Sequence, residues 1–183
     1  MITNDIDKWL ERKGAKFLKY IGIRKNQFVL DFGCGHGTYT IPAALVVGKG
    51  GMVYGVDNNK DHLDELIQRV AEYGLENIQR IYVKNEDKLP LNDESIDSVL
   101  LYDVLHLVES RGGLLAELFR VLKHQGLLSV YPKHHKEDMQ MDLDQVINEI
   151  ESSGFSFENK LFNLLMHDDC LEQGYVLNFK KLR

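Results

Sequence analysis

A chain of 183 residues, of which 44% are apolar and 27% charged, is typical of a single soluble domain that buries a sizeable core. Its formal net charge of −6 argues against a nucleic-acid partner, and the acidic start without a long apolar run predicts neither a secretion signal nor a membrane partner. Cys34 and Cys170 are too few for a disulfide framework or a zinc ribbon, so we expect a cytoplasmic protein without a metal site.

The first predicted element is an amphipathic helix over residues 4 to 21. Apolar side chains recur there with charged ones between them, and either Asn4 or Asp5 is a suitable cap at its start. Its periodicity fits a helix that completes the core as well as one that contributes to a binding cleft.

A strand, a tight turn and a helix are predicted around three alternating glycines, Gly33, Gly35 and Gly37. The strand precedes them, and the helix runs from Thr38 to Val47. Glycine at such a turn tolerates positive φ and lets a ligand approach the main chain closely. The turn therefore predicts a binding site at the start of a helix.

Two acidic residues near this turn indicate which ligand binds. Asp57 ends an apolar run over residues 52 to 56, where a parallel βαβ unit places an acceptor for ribose hydroxyls. Asp31 lies two residues ahead of Gly33, and a carboxylate there repels a pyrophosphate by about 1 kcal/mol or more. The G-x-G-x-G spacing also departs from the G-x-G-x-x-G of dinucleotide sites. A ligand with an ammonium and a sulfonium but no phosphate, such as S-adenosylmethionine, fits better.

Four blocks of sequence, taken together, resemble the class I S-adenosylmethionine-dependent methyltransferases. They are residues 31–37 with Asp57, residues 85–90, residues 95–101 and residues 118–128. The resemblance implies S-adenosylmethionine as cofactor, a small-molecule methyl acceptor and S-adenosylhomocysteine as product. Residues 105–108 look most like the branch that methylates small metabolites and quinone precursors, the methyltransferase type 11 branch.

The other predicted elements alternate between helix and strand. In chain order they are a helix around 63–70, strands 78–83 and 96–101, a helix 111–124, a strand 127–131, a helix around 143–150, and strands 155–166 and 174–182. Such alternation predicts a doubly wound, mainly parallel α/β sheet of Rossmann-like type with helices on both faces. The resemblance implies seven strands in the order 3-2-1-4-5-7-6, with one antiparallel edge strand. We expect a single domain over residues 1–183, with residues 1–25 as an N-terminal capping helix and 26–183 as the core.

Ligands bind at the carboxyl ends of the strands in such a sheet, which selects the candidate cofactor contacts. They are Asp31, Gly33, Cys34, Gly35, Gly37, Asp57, Asn58, Asn85, Glu86 and Tyr102. The resemblance implies that Asn85 bonds the adenine amino group, with Glu86 as a neighbouring candidate, and that the N-terminal helix covers the cleft.

His106 is the predicted general base, because it follows the fourth strand and its unperturbed pKa lies near neutrality. The alternative is a histidine packed between Leu105 and Leu107 in a short helix. Tyr102 is a second catalytic candidate, or simply an aromatic residue at a strand end. A base is needed only when the attacking atom carries a proton. Residues 167–170 contain metal-ligand side chains, but neighbours in a turn seldom converge on one ion, so we predict no metal site.

Two other functions fit the same residues. One is a protein that binds S-adenosylmethionine without turnover, as a sensor or as the partner of an active subunit. The other is an NAD-dependent oxidoreductase, which Asp31 and the glycine spacing disfavour. No insertion is long enough for a lid, so the N-terminal helix, residues 131 to 142 or a second subunit must close the cleft, and a homodimer is among the expected states.

Overall fold

The computed structural model of the chain describes residues 5–84, 88–132, 141–167 and 169–182. These residues form one seven-stranded sheet in the order β3-β2-β1-β4-β5-β7-β6. The strands are β1 (Phe28–Phe32), β2 (Met52–Asp57), β3 (Ile78–Tyr82), β4 (Ile96–Tyr102), β5 (Leu122–Tyr131), β6 (Phe155–His167) and β7 (Cys170–Lys181). The first five pair in parallel, whereas β7 is antiparallel to both β5 and the edge strand β6. The predicted Rossmann-like sheet and its strand order are confirmed.

Helices cover both faces of this sheet. They are α1 (Asp5–Lys8), a π-helical turn (Trp9–Lys13), α2 (Gly14–Ile21), α3 (Thr40–Val47), α4 (Lys60–Glu72), a 3₁₀ turn (Leu105–Leu107), α5 (Arg111–Val121) and α6 (Leu143–Ser152). Side chains alternate between faces along each strand. Val29 and Leu100 accordingly pack in the core under α2, α3 and α4, while Leu30 and Leu101 pack in the core under α5 and α6.

The N-terminal helix is continuous from Asp5 to Ile21 but contains the π-helical turn at Trp9–Lys13. Trp9 is buried and its indole Nε1 donates a hydrogen bond to the Thr38 carbonyl, at 2.9 Å, just beyond the glycine-rich turn. Gly14 permits this close approach, because a Cβ there would lie 2.8 Å from Pro42 Cγ in α3. The helix therefore both completes the core and supports the binding loop.

The helix predicted over residues 111–124 ends earlier, and that part of the prediction is wrong. α5 stops at Val121, and Leu122 already pairs with Ile96 as the first residue of β5. Leu122 extends the helical spacing of apolar residues, so the sequence pattern continues past the true end. A register shift in β4–β5, with Gln125 at a φ of 61°, then absorbs the change of direction.

The terminal hairpin is longer than predicted at its tip. His167 pairs with Cys170, so β7 begins at Cys170 and not at Gly174. The interpretation of residues 167–170 as a turn agrees with this pairing. Within the described ranges, no helix is long and apolar enough to cross a bilayer. Nor do the described side chains form a group of three or more metal-ligand residues placed to hold an ion.

Candidate functional site

The glycine-rich loop between β1 and α3 is the centre of the site. Gly33, Gly35 and Gly37 have φ values of 74°, 50° and 91°, a conformation that costs other residues about 1 to 2 kcal/mol. A Cβ on Gly33 would collide with Val104, and one on Gly37 with Leu66. At Gly35, apart from the glycine itself and its two chain neighbours, no atom of the described residues lies within 4 Å of the corresponding position. Gly33 and Gly37 therefore serve packing, while Gly35 faces open space.

Asp57, at the end of β2, holds the loop in place. Its Oδ2 accepts a hydrogen bond from the Gly35 N–H at 2.8 Å, and its Oδ1 accepts one from the Asn59 N–H at 2.8 Å. His62 Nδ1 lies 3.5 Å from Oδ1. A carboxylate has about four lone-pair positions, so these two bonds leave acceptor capacity for a ligand.

Two cavities flank the loop. The β2-side cavity has a volume of about 380 Å³ and is walled by Phe32, Val56, Asp57, Asn58, His62, Val83, Lys84, Val104, Leu107 and Val108. The hairpin-side cavity has a volume of about 360 Å³ and is walled by Asp31, Cys34, Thr38, Tyr39, Tyr102, Met166, His167 and Asp169. Gly33, Gly35, His36 and Asp103 line both, so the two cavities are adjacent.

Asp103, directly after β4, stands where the cavities meet. It has a φ of 56°, a left-handed conformation that is uncommon for aspartate. Its N–H donates to the Tyr131 carbonyl at 2.8 Å. Its Oδ2 lies 2.7 Å from His167 Nδ1, and its Oδ1 lies 3.9 Å from His106 Nδ1. Histidines from two distant segments thus flank one carboxylate.

The tip of the terminal hairpin forms one wall of the hairpin-side cavity. The Tyr39 hydroxyl donates to the Met166 carbonyl at 2.9 Å, next to the His167 contact with Asp103. These bonds join the end of β6 to the loops that follow β1 and β4. The hairpin therefore closes the site, although β6 itself lies at the far edge of the sheet.

A family model described as a methyltransferase domain matches residues 23–170. This chain belongs to the class I S-adenosylmethionine-dependent methyltransferases. The solved structure of a SAM-dependent methyltransferase from Aquifex aeolicus has the same fold, with a TM-score of 0.77 and 24% identity over 91% of this chain and 87% of that chain.

Curated relatives of this chain are named demethylmenaquinone methyltransferases. The one from Lactobacillus johnsonii is 32% identical over 149 residues, which are 80% of this chain and 56% of the relative. The one from a Geobacillus species is 34% identical over 119 residues, 65% of this chain and 49% of the relative. The predicted resemblance to the quinone-biosynthesis branch is confirmed, and the chain spans about half the length of these relatives.

Most of the residues predicted to contact the cofactor lie close together in the structure. Those that line one cavity or both are Asp31, Gly33, Cys34, Gly35, Asp57, Asn58 and Tyr102. Gly37 instead packs against Leu66. Asn85 and Glu86 lie outside the described residues, and their predicted adenine contact stays a prediction.

Sequence reasoning missed Asp103 and His167. Asp103 was recognisable, because it follows the fourth strand at the carboxyl edge of the sheet. His167 had no local signal, since only the length of the hairpin brings it to Asp103. The predicted base, His106, has a side chain only 5% exposed and is not among the described residues that wall either cavity.

Asp31 is buried, with 3% of its surface exposed, and its Oδ2 accepts a hydrogen bond from Thr40 Oγ1 at 2.6 Å. Burial raises the pKa of its carboxyl to about 7, even though the Thr40 bond lowers it, and the charge of Asp57 adds to the rise. The carboxyl is thus partly protonated at neutral pH. It carries less negative charge than the sequence argument assumed, and a bound cation would favour its ionised form.

Tyr102 packs in an aromatic cluster at the wall of the hairpin-side cavity. Its hydroxyl and Ser129 Oγ are 2.7 Å apart, and its ring centroid lies 4.6 Å from that of Tyr39 in an edge-on contact. Burial raises the pKa of the Tyr102 phenol well above its ordinary range. The residue therefore offers the cavity an aromatic surface, while its hydroxyl stays protonated and contacts Ser129.

The donor set fits S-adenosylmethionine, the cofactor of the family. Asp57 and Asn58 offer oxygen acceptors in the β2-side cavity, between apolar walls such as Val83 and Val104 that suit a flat base. The opposite cavity offers the Asp31 carboxyl, which a ligand ammonium would complement. Gly35 leaves open space between them.

Proposed function

We propose that this chain binds S-adenosylmethionine across the two cavities and transfers its methyl group to a small quinol-like acceptor. The observation that carries the proposal is the open face of Gly35, between a cavity that contains Asp57 and one that contains Asp31. Membership of the family supports the reaction class. The names of the curated relatives support a quinone precursor as acceptor.

The proposed cofactor contacts divide between the cavities. Asp57 and Asn58 would bond the ribose hydroxyls, the apolar walls would hold the adenine, and Asp31 would pair with the ammonium. When bound, S-adenosylmethionine supplies an electrophilic methyl group on a sulfonium that leaves as a neutral thioether. The chain's own contribution is then to align the acceptor and to exclude water.

The acceptor would occupy the hairpin-side cavity. Tyr39, Tyr102 and Met166 give it an aromatic and thioether surface that suits a flat, apolar ring. Tyr102 would act there through its ring and its protonated hydroxyl. The roles of Tyr102 and His106 in catalysis remain proposals.

The test uses the purified full-length chain. We expect S-adenosylhomocysteine to raise its melting temperature and a labelled methyl group to pass from S-adenosylmethionine to reduced naphthoquinone acceptors. Asp144→Asn is the control, because Asp144 is exposed on α6 and lies outside the described walls of both cavities. Cofactor binding without transfer to any acceptor would favour a sensor or partner subunit. Stabilisation by NADH but not by S-adenosylhomocysteine would favour the oxidoreductase.

Location and assembly are part of the same proposal. A cytoplasmic location agrees with the presence of only two cysteines, of which Cys34 is buried beside the cofactor site. A homodimer stays a prediction, which light scattering of the full-length chain tests. Either a monomer or a dimer is compatible with the proposed reaction.

A further inference from the structure

Asp103 is the one carboxylate among the described residues that lines both cavities. It follows the fourth strand at the switch point of the sheet, the place where the cofactor and the acceptor would meet. Its left-handed φ of 56° indicates that the surrounding structure imposes this conformation. A carboxylate at that point is in reach of both halves of the proposed site.

The surroundings of Asp103 fix its orientation. His167 Nδ1 is 2.7 Å from Oδ2, and the backbone N–H is bonded to the Tyr131 carbonyl. The Asp103 side chain is 27% exposed, whereas those of His167 and His106 are 3% and 5% exposed. The exposed part of the Asp103 side chain lines both cavities, while its Oδ1 is buried. Its Oδ2 is therefore the oxygen available to the acceptor, and it is held by His167, which also lines the hairpin-side cavity.

We propose that Asp103 is the general base of the methyl transfer and that His167 is its positioning residue. The inference rests on the proposed function. The acceptor O–H bond breaks and its proton passes to the Asp103 carboxylate. The electron pair released into the acceptor forms the new bond to the methyl carbon, while the methyl–sulfur bond breaks and its electron pair stays on sulfur. When a ring carbon is the nucleophile, its hydrogen then leaves to water as a proton and the ring becomes aromatic again.

This assignment also defines the class of acceptor. The hairpin-side cavity contains the carboxyl groups of Asp31, Asp103 and Asp169, and none of its described wall residues is Lys or Arg. Because Asp31 would pair with the cofactor ammonium, Asp103 and Asp169 are the carboxylates left to disfavour an acceptor that is already anionic. The acceptor is therefore an uncharged molecule with an ionisable hydroxyl, such as a hydroquinone or phenol, that loses its proton only inside the site.

The central experiment compares two acceptors in Asp103→Asn, which keeps the size of the side chain. One acceptor is naphthohydroquinone, and the other is a polyfluorinated naphthohydroquinone with a more acidic hydroxyl. We expect kcat to fall about 100-fold or more for the first, the usual contribution of a general base, and markedly less for the second. S-adenosylhomocysteine, which has no positive sulfur, should still bind. Asp144→Asn makes the same chemical change at an exposed site.

Two substitutions of His167 test its positioning role. His167→Gln keeps a donor toward Asp103 and should retain most of kcat, whereas His167→Phe should lose about tenfold or more with little change in KM. His124→Gln is the matched control at an exposed histidine. In the ligand-free protein, the ring NMR signals of His167 should shift in Asp103→Asn, because its Nδ1 loses the carboxylate oxygen 2.7 Å away.

The outcomes separate this inference from the proposed function. Three results would overturn the inference but not the proposed methyl transfer. They are equal losses of kcat with both acceptors in Asp103→Asn, full activity of that variant, and transfer of the methyl group only to amines. Unchanged ring signals of His167 in Asp103→Asn would overturn the proposed pairing of the two residues. Failure to bind S-adenosylhomocysteine, or binding without transfer to any hydroquinone, phenol or amine, would overturn the proposed function and the inference with it.

Discussion

The two cavities beside the glycine loop are built in different ways. Most of the wall residues of the β2-side cavity lie at or just after the end of a parallel strand, such as Asp57 at the end of β2 and Val83 after β3. The hairpin-side cavity combines such residues with Met166, His167 and Asp169 from the end of the chain. The β2-side cavity, the proposed cofactor half, therefore follows from the order of the strands, whereas the hairpin-side cavity, the proposed acceptor half, depends on how far one hairpin extends.

Substitutions in the glycine-rich loop between the cavities are expected to have the largest effect on stability and cofactor binding. Gly33→Ala would place a methyl group against Val104 in a left-handed conformation, and we expect a loss of about 2 to 4 kcal/mol in unfolding free energy and of cofactor binding. Gly35→Ala is the matched change in open space, and it should cost only about 1 to 2 kcal/mol. Urea unfolding and calorimetry with S-adenosylhomocysteine measure both. Equal destabilisation by the two variants would contradict the packing role of Gly33.

Much of the cofactor half was predictable from the sequence, because its signals are local. The alternating glycines and Asp57 follow apolar runs that fix the strand ends. The sequence did not distinguish the glycines that pack against neighbours from the one that faces open space. The contact of Gly37 with Leu66, for example, arises only when α4 packs on the loop. The two backbone donors held by Asp57 were likewise beyond a spacing argument.

The acceptor half was not predictable in the same way. Residues 167–170 form a polar turn by any local criterion, and the pairing of His167 with Cys170 agrees with that interpretation. The approach of His167 to Asp103 depends on a hairpin whose strands have 13 and 12 residues and whose tip extends beyond the pairing of β7 with β5. Burial of this kind is a tertiary effect, which periodicity does not encode.

Asp31 offers a pH test on the hairpin side. Its folded pKa is about 7 against an ordinary value of 3.8, so between these values the folded chain holds a proton that the unfolded chain has released. Stability should therefore fall as pH rises through this window, by up to about 1.4 kcal/mol per pH unit, and level off above it. Asp31→Asn should remove this part of the slope in urea unfolding between pH 5 and pH 8. An identical slope in both proteins would show that Asp31 is ionised in the fold.

Asp57 offers the corresponding test on the β2 side. Asp57→Ala removes the acceptor for Gly35 and Asn59 as well as the proposed ribose contact, so we expect a loss of about 1 to 3 kcal/mol in S-adenosylhomocysteine binding. Asp64→Asn is the control, because Asp64 pairs with Arg80 on the exposed side of α4. Unchanged affinity in Asp57→Ala would move the ribose site elsewhere.

Substitution of His106 is expected to have the smallest effect on kcat. It tests whether Asp103 or His106 is the general base. Its ring lies 3.9 Å from Asp103 behind the cavity walls, so His106→Asn should lower kcat only a few-fold and leave S-adenosylhomocysteine binding intact. The reason is that it supports the carboxylate from one side while His167 holds the closer oxygen at 2.7 Å. If His106→Asn instead lost as much activity as Asp103→Asn, and the acidic acceptor rescued it, the imidazole would be the base. The general base would then come from the turn after β4, and the terminal hairpin would contribute only a wall of the hairpin-side cavity.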